Sequence, residues 1–515
     1  MTRGHLEIET KYDVGVDFVL PGLDGLDGVA SVDPPVEHAL EAVYHDAEDL
    51  RLLRARVTLR RRTGGPDAGW HLKLPAGAAR RELHAPLGRT TKTPPRSVMA
   101  PVVGILRGAP AGPVATLHTR RVVTSLRDDG GRLLAEVADD TVTATALGVG
   151  AGRPAEVHTW REVEVELADG NAEAGAALAT AVGERLIAAG ARPSASPSKV
   201  GRVLAGRLAD DAGTRTPGEA QAAGEFVLAA LRQQVAGLQA ADVQLRTEQP
   251  DAVHQIRVAA RRLRSTLVAF RTVLDREATQ PLREELAWLG GQLAVARDDE
   301  VTLAQLRAVV AAEPGELVLG PVAARLQQLQ LREERAGLDQ ALELVSRPRY
   351  LRLLDALHDL MAAPPLTENA AGQLEPVLHD AVRRSVRRLR RHMKNARRAP
   401  EEEDHPEALH AVRKAAKRVR YATEIAAPEL GGAKDIVRAA KRIQKVLGEL
   451  QDTVATRELC RRLAVVAFAD GENTFTFGRL HALEQARAER AHQKFWALEA
   501  KVRPVLKDAA RQRSS

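Results

Sequence analysis

His5-Leu6-Glu7-Ile8-Glu9-Thr10-Lys11-Tyr12 opens the chain with charged and apolar residues in strict turn. Side chains of a strand point alternately to its two faces, so Glu7, Glu9 and Lys11 share one face and Leu6, Ile8 and Thr10 the other. The device recurs downstream. Arg60 and Arg62 share a face, His71 and Lys73 stand opposite Leu72 and Leu74, and Glu162, Glu164 and Glu166 oppose Val163, Val165 and Leu167. Period-two segments at His5–Tyr12, Val57–Arg62, Trp70–Leu74, Val122–Leu126, Arg132–Val137 and Glu162–Leu167 are separated by turn clusters such as Asp128-Asp129-Gly130-Gly131. They predict a β-rich first half that ends in a helix over Ala172–Ala189 and a Pro/Ser loop over Arg192–Pro197.

On one strand a charged face is ordinarily the solvated side of an antiparallel sheet. Repeated on several strands, acidic here and basic there, it fits the inside of a closed barrel. A cavity so lined must balance its charge. A polyanion with a divalent cation does so, basic groups meeting phosphate oxygens and carboxylates meeting the metal.

The residues at this point resemble the CYTH family, the triphosphate tunnel metalloenzymes. Glu7-x-Glu9-x-Lys11 is similar to its N-terminal signature. Tyr44-His45-Asp46 resembles its Tyr-Tyr-Asp-Thr segment, with Ala47 in place of the Thr, and Leu59-Arg60-Arg61-Arg62 its Leu-Arg-x-Arg strand. Trp70-His71-Leu72-Lys73-Leu74-Pro75, Thr119-Arg120-Arg121, Glu162-x-Glu164-x-Glu166 and Ser198-Lys199 follow in the family's order. The resemblance implies an antiparallel β-tunnel over residues 1–205. It implies triphosphate held by Lys11, Arg60, Arg62, Lys73, Arg121 and Lys199, and Mg²⁺ or Mn²⁺ held by Glu7, Glu9 and Glu164 with Glu162 or Glu166. Glu7, Glu9 and Lys11 are its catalytic candidates. Two choices stay open: Arg120 or Arg121 facing the tunnel, and Glu136, Asp139 or Asp140 as a further acid.

From about Gly218 the period changes from two to 3.6, with Ala, Leu, Arg, Glu and Gln dominant. This break, across a linker at 206–218, predicts a multidomain α+β chain whose second domain, 219–510, is all-α. That domain contains a repeat. His254, Arg257, Arg261, Arg262 and Arg264 recur as His410, Arg413, Lys417, Arg418 and Arg420. Leu289-Gly290 with Arg297-Asp298 recurs as Leu447-Gly448 with Gln451-Asp452. His254 precedes Asp298 by 44 residues and His410 precedes Asp452 by 42, so two motifs keep their order and spacing in two copies, about 219–365 and 366–510. At about 100° per residue the first, fourth, eighth and eleventh positions form one stripe. Like charges so stacked repel, and a counter-anion relieves them.

These helices resemble the CHAD domain, the conserved histidine α-helical domain, over roughly 219–507. The resemblance implies a groove for inorganic polyphosphate lined by His254, Arg257, Arg261, Arg262, Arg264, His410, Arg413, Lys417, Arg418 and Arg420. The basic run Arg383–Arg398 ranks below them, either an extension of that groove or an exposed face, with Glu401-Glu402-Glu403-Asp404 beside it.

Composition narrows the classes. The formal net charge of +7 points to an anionic partner, and aromatic residues at 3% leave few platforms for stacking bases, which argues against nucleic acid. One cysteine, Cys460, excludes an internal disulfide. The N-terminus reads as a strand, not a signal peptide, and no apolar run reaches membrane length, so the expected setting is the cytoplasm, with polyphosphate granules implied by the family alone. The leading expectation is a polyphosphate-binding protein with a metal-dependent triphosphatase tunnel. A non-catalytic polyphosphate adaptor comes second, ahead of a cyclase-like enzyme and a nucleic-acid binder.

Overall fold

The computed structural model describes residues 4–77, 79–88, 93–148, 154–168, 172–209, 222–295, 298–399 and 405–511. The chain divides into two compact units, Met1–Gly213 and Thr214–Ser515. Much of the expected linker, 210–218, lies outside the described residues.

The first unit is one curled antiparallel sheet. Its strands are β1 (Gly4–Glu7), β2 (Glu9–Val14), β3 (Ser31–Val32), β4 (Val36–Asp46), β5 (Thr58–Thr63), β6 (Gly69–Ala76), β7 (Ala79–Pro86), β8 (Gly112–Arg127), β9 (Leu133–Ala146), β10 (Glu156–Leu167) and β11 (Arg192–Pro193). The order is β1-β7-β6-β5-β4-β8-β9-β10-β2-β11, with β3 on β8. β1 and β2 are consecutive halves of one stretch, parted at Ile8. The first half pairs with β7 and the second with β10, so the sheet curls until both its ends share the opening motif. Short helical segments α1 (Arg51–Arg54), α2 (Arg96–Met99) and α3 (Val103–Leu106) interrupt the loops, and α4 (Ala172–Ala188), α5 (Lys199–Val203) and α6 (Ala205–Ala209) follow β10.

Two apolar clusters lie on the outer face. Tyr12, Val137, Val163 and Val165 pack against Leu178, Val182 and Leu186 of α4. Leu117, Val142 and Ala144 pack with Val200, Val203 and Leu204 of the α5–α6 segment. On β2, β8, β9 and β10 the apolar side thus faces the helices and the charged side faces inward, the reverse of a sheet with one wet face. β4 and β7 were not expected from alternation. β7 carries Arg80, Glu82 and His84 inward, while its outward positions Arg81, Leu83 and Ala85 lack a consistent apolar face.

The second unit is all-helical among the described residues: α7 (Ala223–Arg246), α8 (Ala252–Ala269), α9 (Gln280–Val295), α10 (Asp298–Ala312), α11 (Val322–Ser346), α12 (Pro348–Ala362), α13 (Leu374–Arg398), α14 (His405–Ala426), α15 (Ala433–Ala469) and α16 (Phe475–Ala509). Consecutive helices pack as α7–α8–α9 in one half and α13–α14–α15 in the other, and the two motif helices α8 and α14 touch. Ile256, Ala260, Leu263 and Leu267 of α8 join Val412, Ala416 and Val419 of α14 in one core. The distal ends of α15 and α16 form a second core with α10 and α11 around Leu306, Leu326, Leu463 and Phe477. No helix among the described residues is long and apolar enough to cross a membrane.

Candidate functional site

The sheet encloses a cavity of about 270 Å³. Lys11, Arg60, Arg62, Lys73, Arg121 and Lys199, the six expected cations, all line it. They come from β2, β5, β6, β8 and the start of α5, with Arg60 and Arg62 both on β5, and strand register with the placing of α5 brings them together.

Register separates the two arginines and sets aside one of the three acids. Arg121 stands opposite Asp140 on β9, which in turn stands opposite Glu162 on β10. Arg121 donates to Asp140 from Nε (2.8 Å) and Nη2 (2.6 Å), and from Nη2 to Glu164 at 2.5 Å. Arg120 points the other way and pairs with exposed Glu37 at 2.6 Å. Asp140 is fully buried in the wall and Glu136 lines the cavity, whereas Asp139 turns away to Arg161 at 2.7 Å.

The acids fall into two groups with different charge balance. Asp140, Glu162 and Glu164 offer oxygens within 4.8 Å of one another, a geometry that could hold a metal ion. These three are already matched by cations. Lys199 Nζ lies 3.0 Å from Asp140, 2.6 Å from Glu162 and 2.6 Å from Glu164, and Lys11 and Arg121 also contact Glu164. Burial works against the charge of Glu164, but Lys11, Lys199 and Arg121 prevail and hold it well below the usual carboxylate range.

In the second group Glu7 and Glu9 are paired, Glu7 with Lys73 and Glu9 with Lys11 at 3.3 Å and Lys73 at 3.9 Å; burial works against the charge of Glu9, but Lys73 and Lys11 prevail and lower its pKa. Glu9 stands directly opposite Glu166, and Glu166 directly opposite Glu136, three carboxylates side by side on β2, β10 and β9. Like charges so placed destabilise a sheet. Burial pushes Glu166 up to about 7, with Glu7 and Glu9 adding to the rise against Lys73. Burial also raises Glu7, whose Oε1 contacts Lys73 while Oε2 is buried without a hydrogen-bond partner. Glu7, Glu9 and Glu166, with Glu136, are a second set of acids at the cavity, while the close oxygen geometry belongs to Asp140, Glu162 and Glu164. Glu162 keeps a structural place, accepting from Trp160 Nε1 at 2.6 Å.

Several lining groups were not among the expected ligands. Glu82 contacts His71 and lies 3.5 Å from Lys73. Burial opposes its charge, but the His71 hydrogen bond, Lys73 and Arg60 hold it far below the carboxylate range. Tyr44 Oη accepts from Arg60 at 3.5 Å, and His84 and Arg80 complete the β7 side. An inward alternation in Ala79–Pro86 was the signal available for these. Asp46, beside Tyr44, serves the backbone instead. Its carboxylate accepts from the N–H groups of Ala47 (2.7 Å), Leu52 (2.9 Å) and Leu53 (2.9 Å), securing the turn into α1.

In the helical unit the two stripes do not form one uniform row. Lys417 of α14 sits with Arg413 and with Arg261 and Arg257 of α8. Burial first, then those three cations, pushes its amine down to about 7, and Asp452 opposes them. Gln451 Oε1 accepts from Arg413 at 2.6 Å and lies 3.0 Å from His410 Nδ1, and Gly448 leaves room for the Arg413 guanidinium. The second sequence motif thus orients the first, which accounts for their linked spacing in that copy. In the other copy Arg297 lies outside the described residues, as does Glu401–Asp404. Arg420 is turned to Glu424 at 2.8 Å, and Arg262 lies over the Tyr421 ring at 5.8 Å. Arg418 belongs to a further cluster with Arg388, Arg264 and Arg283.

Comparison with known proteins divides the chain in the same way. A CYTH domain model matches residues 5–187 and a CHAD domain model residues 229–461. "Uncharacterized protein Rv2226" of Mycobacterium tuberculosis (strain ATCC 25618 / H37Rv) is 37% identical over 514 residues, spanning 98% of this chain and 97% of its own. The CHAD domain from the plant Ricinus communis is 24% identical, with a TM-score of 0.44, over 58% of this chain and 95% of its own. HpAC1 from Hippeastrum, a candidate adenylyl cyclase described as having a dominant triphosphatase activity, is 17% identical, with a TM-score of 0.23, over 39% of this chain and 96% of its own.

Proposed function

Because the chain belongs to the proteins that join a CYTH domain to a CHAD domain, we propose that its tunnel is a metal-dependent triphosphatase and its helical unit a binding module for inorganic polyphosphate. One observation carries the tunnel reading: six cations converge on a single cavity whose wall also carries rows of carboxylates from β1, β2, β9 and β10.

Triphosphate hydrolysis is largely a matter of positioning and charge. Arg60, Arg62 and Arg121 offer planar donor pairs to phosphate oxygens, and Lys11, Lys73 and Lys199 offer compact charges. Lys11 and Lys73 are held in place by Glu9, Glu164 and Glu7 and exchange those carboxylates for phosphate oxygens as substrate enters. Glu7, Glu9 and Glu164, with Glu162 or Glu166, would hold Mg²⁺ or Mn²⁺, which would supply neutralisation of developing phosphate charge and a more acidic bound water. The curled wall shields these contacts from bulk solvent and so strengthens them.

The deciding experiment is phosphate release from inorganic triphosphate, long-chain polyphosphate, ATP and thiamine triphosphate, with and without Mg²⁺ or Mn²⁺. Metal-dependent release from inorganic triphosphate is expected. Tight polyphosphate binding with no release from any substrate would make the chain a polyphosphate adaptor, and cyclic product from ATP would make it a cyclase.

Metal binding carries its own pH signature. Glu166 holds a proton up to about pH 7, and a divalent ion must displace it. Metal affinity is expected to be about tenfold higher one pH unit above that value than one unit below it. Calorimetric titration of the metal-free protein at the two pH values checks this, and a flat profile would remove Glu166 from the metal set.

A further inference from the structure

The duplicated helical unit contains two equivalent grooves whose chemistry has diverged. Ala222 and Gln373, the residues immediately before α7 and α13, form a backbone bridge with each other and mark those helices as counterparts. Counting on from there, Gln233 falls on Arg384, Gln234 on Ser385, Gly237 on Arg388 and Ala240 on Arg391. The first member of each pair lines a groove of about 910 Å³ with α8 and α14. The second member lines a cavity of about 250 Å³, again with α14 and α8. On α8 and α14 the repeat that aligns His254 with His410 sets Arg262 on Arg418 and Ser265 on Tyr421, and these too divide between the two grooves.

One copy of the groove is therefore neutral, with Gln233, Gln234 and Gly237, and with Arg262 facing Tyr421 and Glu424. The other presents Arg271, Arg384, Arg387, Arg388, Arg391 and Arg418, with no carboxylate in its lining. Asp380 partners Arg383 at 2.7 Å and also contacts Arg384. Burial and then Arg388, Arg264 and Arg283 depress the Arg418 guanidinium, and burial and then Arg271 depress that of Arg384, the mark of positive charge left short of counter-charge. The twin groove folds on amides and small residues, so packing does not demand these arginines. Their mutual repulsion needs an anion to offset it. Lys417 and Arg418 are sequence neighbours about 100° apart around α14, so the Arg257–Arg261–Lys417 cluster and the arginine groove open on adjoining sides of one helix.

We propose that the α8–α13–α14 groove is a second phosphate-binding site, engaged by a chain whose other part rests on the Arg257–Arg261–Lys417 cluster. This rests on the polyphosphate reading of the helical unit and deepens it, since the ligand class becomes the long chain. A short phosphate chain fills one cluster, and a long one fills both and gains the affinity of a linked pair of sites. The duplication thereby yields a module with one anionic path and one neutral groove.

The test compares three full-length proteins in chelator, so that the tunnel does not turn over: wild type, Arg257→Gln/Arg261→Gln/Lys417→Gln, and Arg384→Gln/Arg388→Gln/Arg391→Gln. Long-chain polyphosphate and inorganic triphosphate are the probes. In the groove variant, long-chain affinity is expected to fall at least about tenfold with a shallower salt dependence, while triphosphate binding is unchanged. Unchanged long-chain binding in the groove variant beside weakened binding in the cluster variant would overturn the groove and leave the polyphosphate reading standing. Unchanged binding in both variants would overturn both. Should the triple variant fail to fold, Arg391→Glu at an exposed position gives the same discrimination, and Arg384→Lys/Arg388→Lys/Arg391→Lys is expected to keep long-chain affinity within a few-fold of wild type.

Discussion

Glu7→Gln with Glu9→Gln is expected to lower metal-dependent phosphate release by about a thousandfold or more, which corresponds to about 4 kcal/mol of transition-state stabilisation. Both substitutions keep side-chain volume and remove charge. Glu7 is buried against Lys73 and Glu9 stands between Lys73 and Lys11, so the variant subtracts two negative charges from a wall that retains its cations. Triphosphate binding without metal should therefore hold or tighten while turnover collapses. That split distinguishes loss of the metal site from loss of the tunnel, because a misfolded tunnel would lose both. Circular dichroism and calorimetry with inorganic triphosphate provide the controls. Turnover within tenfold of wild type would sink the assignment of these two glutamates.

Lys199→Met is expected to destabilise the tunnel unit by about 3–5 kcal/mol, besides weakening substrate binding. Lys199 is buried at the start of α5, where the Ser198 side chain caps the helix by accepting from Gly201 N at 3.1 Å. Its amine is the shared partner of Asp140, Glu162 and Glu164. Removing it leaves Asp140 and Glu164 to Arg121 and Lys11, and Glu162 to Arg202 at 3.9 Å. In the wild type the folded-state pKa of Glu164 is depressed, so its contribution to stability is present above the unfolded carboxylate value and is lost as pH falls through the folded value. Without Lys199 that depression shrinks. The gap between variant and wild type should be widest near neutrality and narrow as the carboxylates protonate on acidification. Denaturant titrations across that range measure it. A gap independent of pH would mean that Lys199 stabilises by packing its alkyl stem rather than by charge.

The faces of the candidate site were legible in the sequence where charged residues recur at every second position of a strand, as at Glu7, Glu9 and Lys11, at Arg60 and Arg62, and at His71 and Lys73; Lys199, on α5, and the sharing of one cavity were implied by the family resemblance. All of them line that cavity. The facing was not legible where both faces carry the same type. Adjacent Arg120 and Arg121 are indistinguishable by alternation, and the opposition of Arg121 to Asp140 separates them. Nor was it legible on β7, where Arg80, Glu82 and His84 face inward but the outward face is too polar to announce a strand. The expected acidic wall had Glu162 or Glu166; one is tied to Lys199 and Trp160 and the other stands between Glu9 and Glu136 with its pKa raised by burial. In the helices, both stripes were visible at period 3.6. Their division into a lysine-centred cluster and an arginine groove on α13 was not, because it depends on which faces of α8, α13 and α14 meet.

The sequence by itself determined the two units, the β and α character of each, the repeated motifs of the second and, where charged residues alternate with apolar ones, the face on which a charged side chain lies. Those properties follow from local geometry, since backbone dihedrals set a period of two or 3.6 and the side chains must follow it. Only the tertiary structure decided which acids are already neutralised, which arginine enters the tunnel and which of two equivalent helical grooves is cationic. Each of those depends on the charges brought opposite a residue by strand register or helix packing, and such partners lie far away along the chain.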